Sequence, residues 1–193
     1  MTDLSASPPH SPLGPTLETE RLYLRPPAMK DFERWADFQG DAETARFIGG
    51  AKSPAEVWRA LMSVAGAWAL TGEGFFSLIE KSSGQWIGRI GPWNPHGWPG
   101  PEVGWSLHRD AMGKGYALEA AVATMDYAFD VLGWDDVIHS IDPGNRASQA
   151  LAERLGSANR GPGVLPPPFE GARVDIWGQT RAEWALNRNR IVR

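Results

Sequence analysis

The chain of 193 residues is predicted to fold as an α/β (α+β) protein with a mixed central sheet. Segments rich in β-branched and aromatic residues alternate with segments whose apolar residues recur at helical spacing. The helical segments lie both before and between the predicted strands, which is typical of a mixed sheet. Hydrophobic residues make up 42% of the chain, which is enough for one sizeable core.

The start of the chain and its lack of cysteine indicate where the protein works. Residues 1–16 carry prolines among serines, which predicts a disordered arm before a single domain over residues 17–193. The arm has no basic start followed by an apolar stretch, so it does not resemble a secretory signal. The absence of cysteine excludes disulfides, thiolate zinc sites and cysteine nucleophiles, and no metal site is predicted. We therefore expect a cytoplasmic protein.

The first half is predicted to contain one short strand and then helices. Residues 21–25 are β-prone and stop at two consecutive prolines. Apolar residues recur at helical spacing over residues 29–36. Ser53, Pro54 and Glu56 form a capping box with proline at the first helical position, which predicts the start of a longer helix. The buried face of this helix is predicted to consist of Val57, Leu61, Val64 and Trp68.

Strands dominate the middle of the chain. Residues 75–81 and 86–92 are β-prone and are joined by a Ser-Ser-Gly turn, which predicts a hairpin. Residues 102–107 form another predicted strand, and its side chains should alternate between two faces. One face should carry Glu102, Gly104 and Ser106, and the other Val103, Trp105 and Leu107.

The second half is predicted to alternate helices with strands. A helix with a long apolar stripe precedes a strand over residues 136–141. The next helix follows Asn145, and a proline-rich loop over residues 161–168 leads to a last strand over residues 174–179 and a helical tail. The apolar stripe of the first of these helices comprises Leu118, Val122, Met125, Phe129 and Leu132.

Gly113 and Gly115, just before that first helix, are the strongest candidate for a ligand site. Without Cβ atoms their backbone can approach a ligand closely, and the helix that begins near Tyr116 adds its unpaired N-terminal amides. Such a turn suits a phosphate or diphosphate, and the alternative is an ordinary turn before a helix. A P-loop is excluded because glycine follows Lys114, and a dinucleotide fingerprint is excluded because Leu118 replaces its third glycine.

Several motifs together resemble the GNAT superfamily of N-acetyltransferases. Among them are Gly-Lys-Gly-Tyr-Ala over residues 113–117 and Asn-Arg-Ala-Ser over residues 145–148. The others lie at residues 17–22, 85–90, 102–107, 155–156, 175–180 and 183–184. The most similar branch is the RimJ/RimL-like one, whose best-known members acetylate ribosomal-protein N-termini. The resemblance implies a mostly antiparallel sheet with helices on both faces and a splayed strand pair at the cofactor site.

The resemblance also implies acetyl-coenzyme A as the acyl donor. The glycine turn would hold its diphosphate through backbone amides, and residues 103–107 would pair with its pantetheine arm beside the gap to the strand over 137–141. The family usually has Gln or Arg where this chain has Met112, and often an aromatic residue where it has Ser157. The implied cofactor contacts are Trp105, Ser106, Leu107, Met112, Gly113, Lys114, Gly115, Tyr116, Ala117, Asn145 and Ser148.

Ser148 and Glu102 are the predicted catalytic residues, because the amine attacks the thioester directly in this family. Ser148 matches the family position that reaches the sulfur, and the alternative is a solvated helix serine. Glu102 is the candidate general base, and the alternative is an exposed edge-strand carboxylate. His139 is a second candidate base or a buried, hydrogen-bonded histidine. Asn145 caps its helix and either does only that or also bonds the pantetheine.

The acceptor is predicted to be a primary amine, either on a small molecule or at a protein N-terminus. A group of residues near the cofactor strand lines either the acceptor side or a packed surface. These residues are Arg89, Trp93, His96 and Trp98. The formal net charge of -4 comes without a basic block, so neither nucleic acid nor a membrane is an expected partner.

Two other classes of function stay open from the sequence. One is a non-catalytic acyl-coenzyme A-binding or regulatory domain of the same fold. The other is an interaction module that uses the surface formed by some of the ten tryptophans. The resemblance to the GNAT superfamily implies that the protein is a monomer or a homodimer.

Overall fold

The computed structural model describes residues 11–191, and at its centre lies one eight-stranded sheet. The strands are β1 (Leu17–Glu18), β2 (Leu22–Arg25), β3 (Phe76–Glu80), β4 (Trp86–Trp93), β5 (Glu102–Leu107), β6 (Asp136–Ile141), β7 (Ala158–Gly163) and β8 (Val174–Thr180). Their spatial order is β1-β2-β3-β4-β5-β6-β8-β7. Neighbouring strands are antiparallel except β5 and β6, which are parallel. The sheet is therefore mixed and mostly antiparallel, which confirms the predicted fold class.

Six α-helices lie in the described part of the chain. They are α1 (Phe32–Gly40), α2 (Ala42–Ala45), α3 (Pro54–Thr71), α4 (Tyr116–Asp126), α5 (Arg146–Leu155) and α6 (Arg181–Ile191). A π-helical turn over Tyr127–Val131 continues α4. At the start of α3, the Ser53 amide donates a 2.9 Å hydrogen bond to Glu56, as the capping box predicted. Among residues 11–191, no helix combines the length and apolar character needed to cross a membrane.

Helices pack on both faces of the sheet, as two adjacent residues of β3 show. Ser77 donates a 2.7 Å hydrogen bond to Asp31, which lies just before α1. Phe76 points to the opposite face and packs edge-on against Tyr127, with ring centroids 5.5 Å apart. Asp31 also forms a buried bidentate pair with Arg25 of β2, at 2.6 and 2.8 Å. One face therefore holds α1, and the other holds α4.

Apolar periodicity identifies the buried side of α3 better than that of α4. All four residues predicted for the α3 face are at most 3% exposed. In α4, Met125 is fully buried as predicted, but Leu118 and Val122 are only partly buried. Small side chains occupy the other fully buried positions of this helix, which are Ala120, Ala121 and Thr124. Small side chains let a helix lie close to its neighbour, so the large residues of α4 flank the contact.

The sequence did not predict the two outermost strands, β1 and β7. β7 consists of Ala-Asn-Arg-Gly-Pro-Gly, which has no β-prone residue, and it forms by pairing with β8. Its proline is tolerated because β7 is an edge strand. Residues 1–10 of the predicted arm lie outside the described residues. Residues 11–16 lie against the body, with Leu13 packed on the core, so the packed part of the chain begins before β1.

Candidate active site

Gly113 and Gly115 form the turn that leads into α4. Their φ angles of +74° and +83° lie in the left-handed region, which favours glycine. The first α4 bond runs from the Glu119 amide to the Gly115 carbonyl at 3.2 Å, so the amides of residues 116–118 precede it. A Cβ on Gly113 would meet no atom within 4 Å, so open space lies in front of the turn. The turn can therefore offer several amides to an anion.

Arg21 braces this turn, and sequence reasoning missed it. Its Nη1 donates to the Lys114 carbonyl at 2.9 Å, and its Nε donates to Glu119 at 2.6 Å. Its guanidinium also lies 4.5 Å from the ring centroid of Tyr116. A Cβ on Gly115 would lie 3.3 Å from Nη2 of Arg21, so this cation flanks the second glycine. No local sequence pattern pairs Arg21 with Glu119, because they are distant in the chain.

The remaining predicted cofactor residues of the turn contribute different groups. Met112 is 50% exposed and uncharged, so the position where the family usually has Gln or Arg supplies no polar side chain. Lys114 is exposed. Tyr116 points inward, where its hydroxyl donates to Glu80 of β3, so its amide rather than its side chain faces the turn. Ala117 packs partly against the core.

The strands β5 and β6 separate directly after their first pair. Their register contains the pair Glu102 with Ile138, and the Ile138 amide donates at 2.8 Å to the carbonyl just before Glu102. In a continuing parallel ladder, the Ser140 amide would donate next to the Val103 carbonyl. That carbonyl instead accepts a 2.7 Å hydrogen bond from Nδ1 of His139. The imidazole thus takes the place of a ladder bond and leaves the expected gap between the strands.

Backbone amides of β5 line this gap. The His108 amide, just beyond β5, donates to Ile87 at 2.9 Å, so every second residue of β5 directs its backbone to β4. The residues between them direct their backbone to β6. The amides of Trp105 and Leu107 therefore face the gap and can stabilise an oxyanion there. Ser106 was also predicted to contact the cofactor. Its backbone groups are directed to β4 and not to the gap.

The Glu102 carboxylate lies at the mouth of the gap. It is 8% exposed, which corrects the alternative of an exposed edge-strand carboxylate. Its Oε2 accepts hydrogen bonds from Ser140 Oγ at 2.7 Å and from Trp98 Nε1 at 2.6 Å. Burial raises the pKa of Glu102 above its ordinary value, and the hydrogen bonds from Ser140 and Trp98 partly oppose that rise. A carboxylate with a raised pKa is suited to accept a proton from an amine.

On the opposite face of the sheet, α5 carries Asn145 and Ser148. Asn145 caps the helix as predicted, because its Oδ1 accepts from the Ser148 amide at 3.1 Å. Ser148 is half-buried, and its Oγ accepts a 3.2 Å hydrogen bond from Nε1 of Trp105. That bond uses an acceptor site of the hydroxyl and leaves its proton available for another partner. Ser148 is therefore tied to β5 rather than fully solvated.

His139 is the buried, hydrogen-bonded histidine of the two alternatives. It is 1% exposed, and its Nε2 lies 3.0 Å from Ser157 Oγ. Burial lowers the pKa of His139 to about 4, so the ring is neutral at neutral pH. With both nitrogens bonded, it is not free to act as a base. Its ring centroid lies 4.6 Å from that of Trp105, so it supports the residue that binds Ser148.

Loops of the described chain meet on the Glu102 side of the sheet. Trp98 lies edge-on to Phe169 of the proline-rich loop, with ring centroids 6.2 Å apart. A Cβ on Gly49, in the loop after α2, would lie 3.6 Å from Phe169. Because Trp98 also donates a hydrogen bond to Glu102, these loops lie around the Glu102 carboxylate. The side chain of His96, in the same loop as Trp98, is exposed. Within residues 11–191 there is no group of three or more His, Cys, Asp or Glu side chains that could hold a metal ion.

Known proteins are similar to this chain in sequence and in fold. The family described as acetyltransferase (GNAT) domain matches residues 21–158. An acetyltransferase of known structure from Agrobacterium tumefaciens str. C58 is 34% identical with a TM-score of 0.75, covering 86% of this chain and 95% of that one. The N-acetyltransferase p20 of Bacillus licheniformis is 28% identical over 149 residues, which are 76% of this chain and 84% of that protein. A shorter match, 37% identical over 79 residues, spans 46% of YkkB from Bacillus subtilis.

The segment that matches the family contains the parts of the candidate site described above. It includes the glycine turn, the parallel strands β5 and β6, and the first turns of α5. The family's reaction uses acetyl-coenzyme A, which fits a turn of bare amides beside a gap between strands. The chain therefore belongs to the GNAT acetyltransferase family and is an acetyl-coenzyme A-dependent N-acetyltransferase.

Proposed function

We propose that the enzyme acetylates a primary amine, on a small molecule or at a protein N-terminus, by direct attack, as in the RimJ/RimL-like branch. Support comes from the Leu-Glu-Thr-Glu-Arg-Leu motif over residues 17–22, whose arginine braces the glycine turn. The amides of residues 115–118 and the cation of Arg21 would hold the diphosphate of acetyl-coenzyme A. The bound cofactor supplies a thioester carbonyl and a thiolate leaving group.

The side chains and amides around the gap divide the proton and charge transfers between them. Glu102 accepts a proton from the acceptor ammonium, directly or through a water, so that the free amine can attack. The amides of Trp105 and Leu107 donate to the carbonyl oxygen as negative charge develops on it. As the C–S bond breaks, Ser148 would donate its hydroxyl proton to the departing thiolate. The newly acetylated nitrogen would lose its remaining extra proton to solvent, and solvent would return a proton to Ser148. No covalent bond to the protein is needed at any stage.

The observation that carries this proposal is that Glu102 and Ser148 approach the same gap from opposite faces of the sheet. Glu102 and Trp105 are three positions apart in β5, so their side chains point to opposite faces. Trp105 binds Ser148, whereas Glu102 binds Ser140. A carbonyl held between the strands would therefore have a proton acceptor on one side and a proton donor on the other.

Two measurements separate acetyl transfer from the other functions. Acetyl-coenzyme A should raise the melting temperature of the protein, and at least one member of an amine panel should then release free thiol. A rise in melting temperature without thiol release on any amine would favour a non-catalytic acyl-coenzyme A-binding domain. No rise at all would favour an interaction module and contradict the proposal.

The Ser148→Ala variant tests the proposed proton donor. We expect kcat to fall by about 100-fold, as for the loss of a general acid, with the Kd for acetyl-coenzyme A changed by less than about twofold. A thiol-release assay measures kcat, and calorimetric titration measures the Kd. Ser82→Ala, in the exposed turn between β3 and β4, serves as the control. An unchanged kcat in Ser148→Ala would remove this residue as the acid.

A further inference from the structure

Arg89 of β4 is a cation for which the described part of the chain shows no anionic partner. Its Nε is buried without a hydrogen-bond partner. The guanidinium instead lies 4.6 Å from the ring centroid of Phe75 and 5.5 Å from that of Trp35. Burial lowers the pKa of Arg89 to about 10, so the group stays charged at neutral pH. The Arg89 side chain as a whole is partly buried, and a charge held partly out of water without an anionic partner is costly, so an anion of a ligand would stabilise it.

A second arginine of the same sheet, Arg25, does have an anionic partner within the fold and can be compared with Arg89. Arg25 of β2 is 3% exposed and is paired bidentately with Asp31, through 2.6 and 2.8 Å contacts. Arg25, Ser77 and Arg89 lie side by side on β2, β3 and β4, so both arginines point to the same face. Nε lacks a hydrogen-bond partner in both arginines, but only the charge of Arg25 is neutralised by a carboxylate of the fold, so the guanidinium of Arg89 is the one left available to an anion.

Arg89 and Glu102 both lie near one aromatic ring, that of Phe75. Arg89 pairs with Ser106 in the β4–β5 register, and Ser106 shares its face with Glu102. A Cβ on Gly104 would lie 3.1 Å from both Phe75 Cε1 and Glu102 Oε1. The Phe75 ring thus lies against the guanidinium of Arg89 and has its edge close to the carboxylate of Glu102. This face presents a cation and an anion separated by an apolar surface.

We propose that Arg89 binds an oxyanion group, a carboxylate or a phosphate, on a small acceptor whose amine lies at Glu102. This inference rests on the proposed function and narrows its acceptor to a zwitterionic small molecule. A guanidinium recognises such groups through two parallel hydrogen bonds. Phe75, which stacks on Trp93 with ring centroids 5.2 Å apart, would contact the carbon chain between the two charges. The loops gathered around Trp98 favour a small acceptor over a protein surface.

The test compares acceptors that differ only in the anionic group. Thiol release is measured with ω-amino acids of increasing length and their carboxamides, and with 2-aminoethyl phosphate against ethanolamine. We expect the wild type to prefer the charged member of at least one pair by about 10-fold or more in kcat/KM, mainly through KM. The two kinds of pair distinguish a carboxylate from a phosphate. In Arg89→Met the preference should fall to about one, and in Arg89→Lys to an intermediate value.

A binding measurement keeps this inference separate from the proposed function. In the presence of coenzyme A, the charged acceptors should raise the melting temperature of the wild type more than their neutral partners do, and this difference should vanish in Arg89→Met. Arg59→Met, which removes an exposed arginine of α3, should keep both the shift and the rate preference. If no amine releases thiol but the charge-dependent shifts persist, only the proposed function fails.

Two results would overturn the Arg89 inference. One is equal rates and equal shifts for charged and neutral acceptors in the wild type, or a preference that survives in Arg89→Met. The other is a fall in melting temperature of more than about 5 °C in both Arg89→Met and Arg89→Lys without ligand, since that result indicates a structural role. We expect Arg89→Met to melt at the wild-type temperature or above it, because the variant loses a buried unpaired charge.

Discussion

Glu102 and His139 show how the surroundings decide what an ionisable residue can do. Both are almost fully buried, at 8% and 1% exposed. Burial disfavours the charged form of each, so it raises the pKa of the acid and lowers that of the histidine. The result at Glu102 is a carboxylate able to exchange a proton, with its Oε1 packed close to Gly104, where a Cβ would lie 3.1 Å away. The result at His139 is a neutral ring whose nitrogens are already bonded.

The Glu102→Gln variant tests the general base. Glu102 must be ionised to accept a proton, so kcat/KM should rise with pH. The apparent pKa of this ascending limb should lie above the ordinary glutamate pKa of about 4.3. Gln keeps an oxygen for Trp98 and Ser140 but does not titrate, so we expect this limb to vanish and the rate to fall by about 100-fold.

A second, partly buried carboxylate provides the control for this pH profile. Burial also raises the pKa of Glu73, which follows α3 and lies outside the proposed site. Glu73→Gln should therefore leave the limb unchanged. A wild-type profile in Glu102→Gln would show that water, or no single base, removes the proton.

At the scale of elements, the gap between β5 and β6 is held open by side chains on both faces of the sheet. His139 donates to the Val103 carbonyl on one face, where a ladder bond would otherwise form. On the other face, Ser140 Oγ donates to Glu102. Specific side-chain hydrogen bonds therefore maintain the gap, and it does not arise merely because the two strands end there. The same contacts support Trp105 and hold Glu102 in position.

The His139→Gln variant tests how strongly this strand pair depends on a neutral imidazole. The folded-state pKa is depressed, so the histidine contributes stability that is present above the unfolded-state pKa and lost as pH falls through the folded-state value of about 4. Between about pH 6.5 and pH 4, the wild type should lose about 3 kcal/mol of unfolding free energy more than the variant does. Urea unfolding over this range measures the difference. Parallel pH dependence in both proteins would contradict a buried neutral ring.

Local signals explain which elements could be predicted from the sequence. The capping box at the start of α3, the hairpin of β3 and β4, and the alternation in β5 depend on neighbouring residues, and all are present. β7 has no such signal, because it exists through pairing with β8. The predicted apolar stripe packs on the core, but the small buried residues of α4 were not predicted, because periodicity ranks large apolar residues above alanines, whereas close packing on the sheet favours small ones.

The candidate site was predictable to the same extent. The glycine turn, Asn145 and Ser148 follow from motifs of adjacent residues, and the cap at Asn145 is present. The brace from Arg21 to Glu119 joins distant parts of the chain, and so does the bond from His139 to Val103. Only the folded structure brings such partners together. For the same reason, the unpaired state of Arg89 could not be read from its neighbours in sequence.

At the scale of the whole molecule, the site forms where two parallel strands end at the same edge of the sheet. After β5 the chain passes through the glycine turn into α4, and after β6 it passes into α5. The N-termini of both helices therefore lie at the gap. Arg21, which lies between β1 and β2, contacts the glycine turn at the same end of the strands. The central claim is that the first of these N-termini binds the diphosphate of acetyl-coenzyme A.

Gly115→Glu places bulk and negative charge where the diphosphate would lie. Gly115 has a φ of +83°, and a Cβ there would lie 3.3 Å from Arg21. The matched control is Gly133→Glu, past the other end of the same helical segment. Gly133 has a φ of +74°, and a Cβ there would meet no atom within 4 Å. Both variants add the same charge and a similar backbone strain, so they differ mainly in which end of the helical segment carries the change.

The most direct measurement is a calorimetric titration of both variants with acetyl-coenzyme A. We predict that Gly115→Glu weakens binding by about 100-fold or more, because several charge-assisted hydrogen bonds are lost, while Gly133→Glu binds like the wild type. Binding of wild-type strength in a folded Gly115→Glu variant would contradict the central claim.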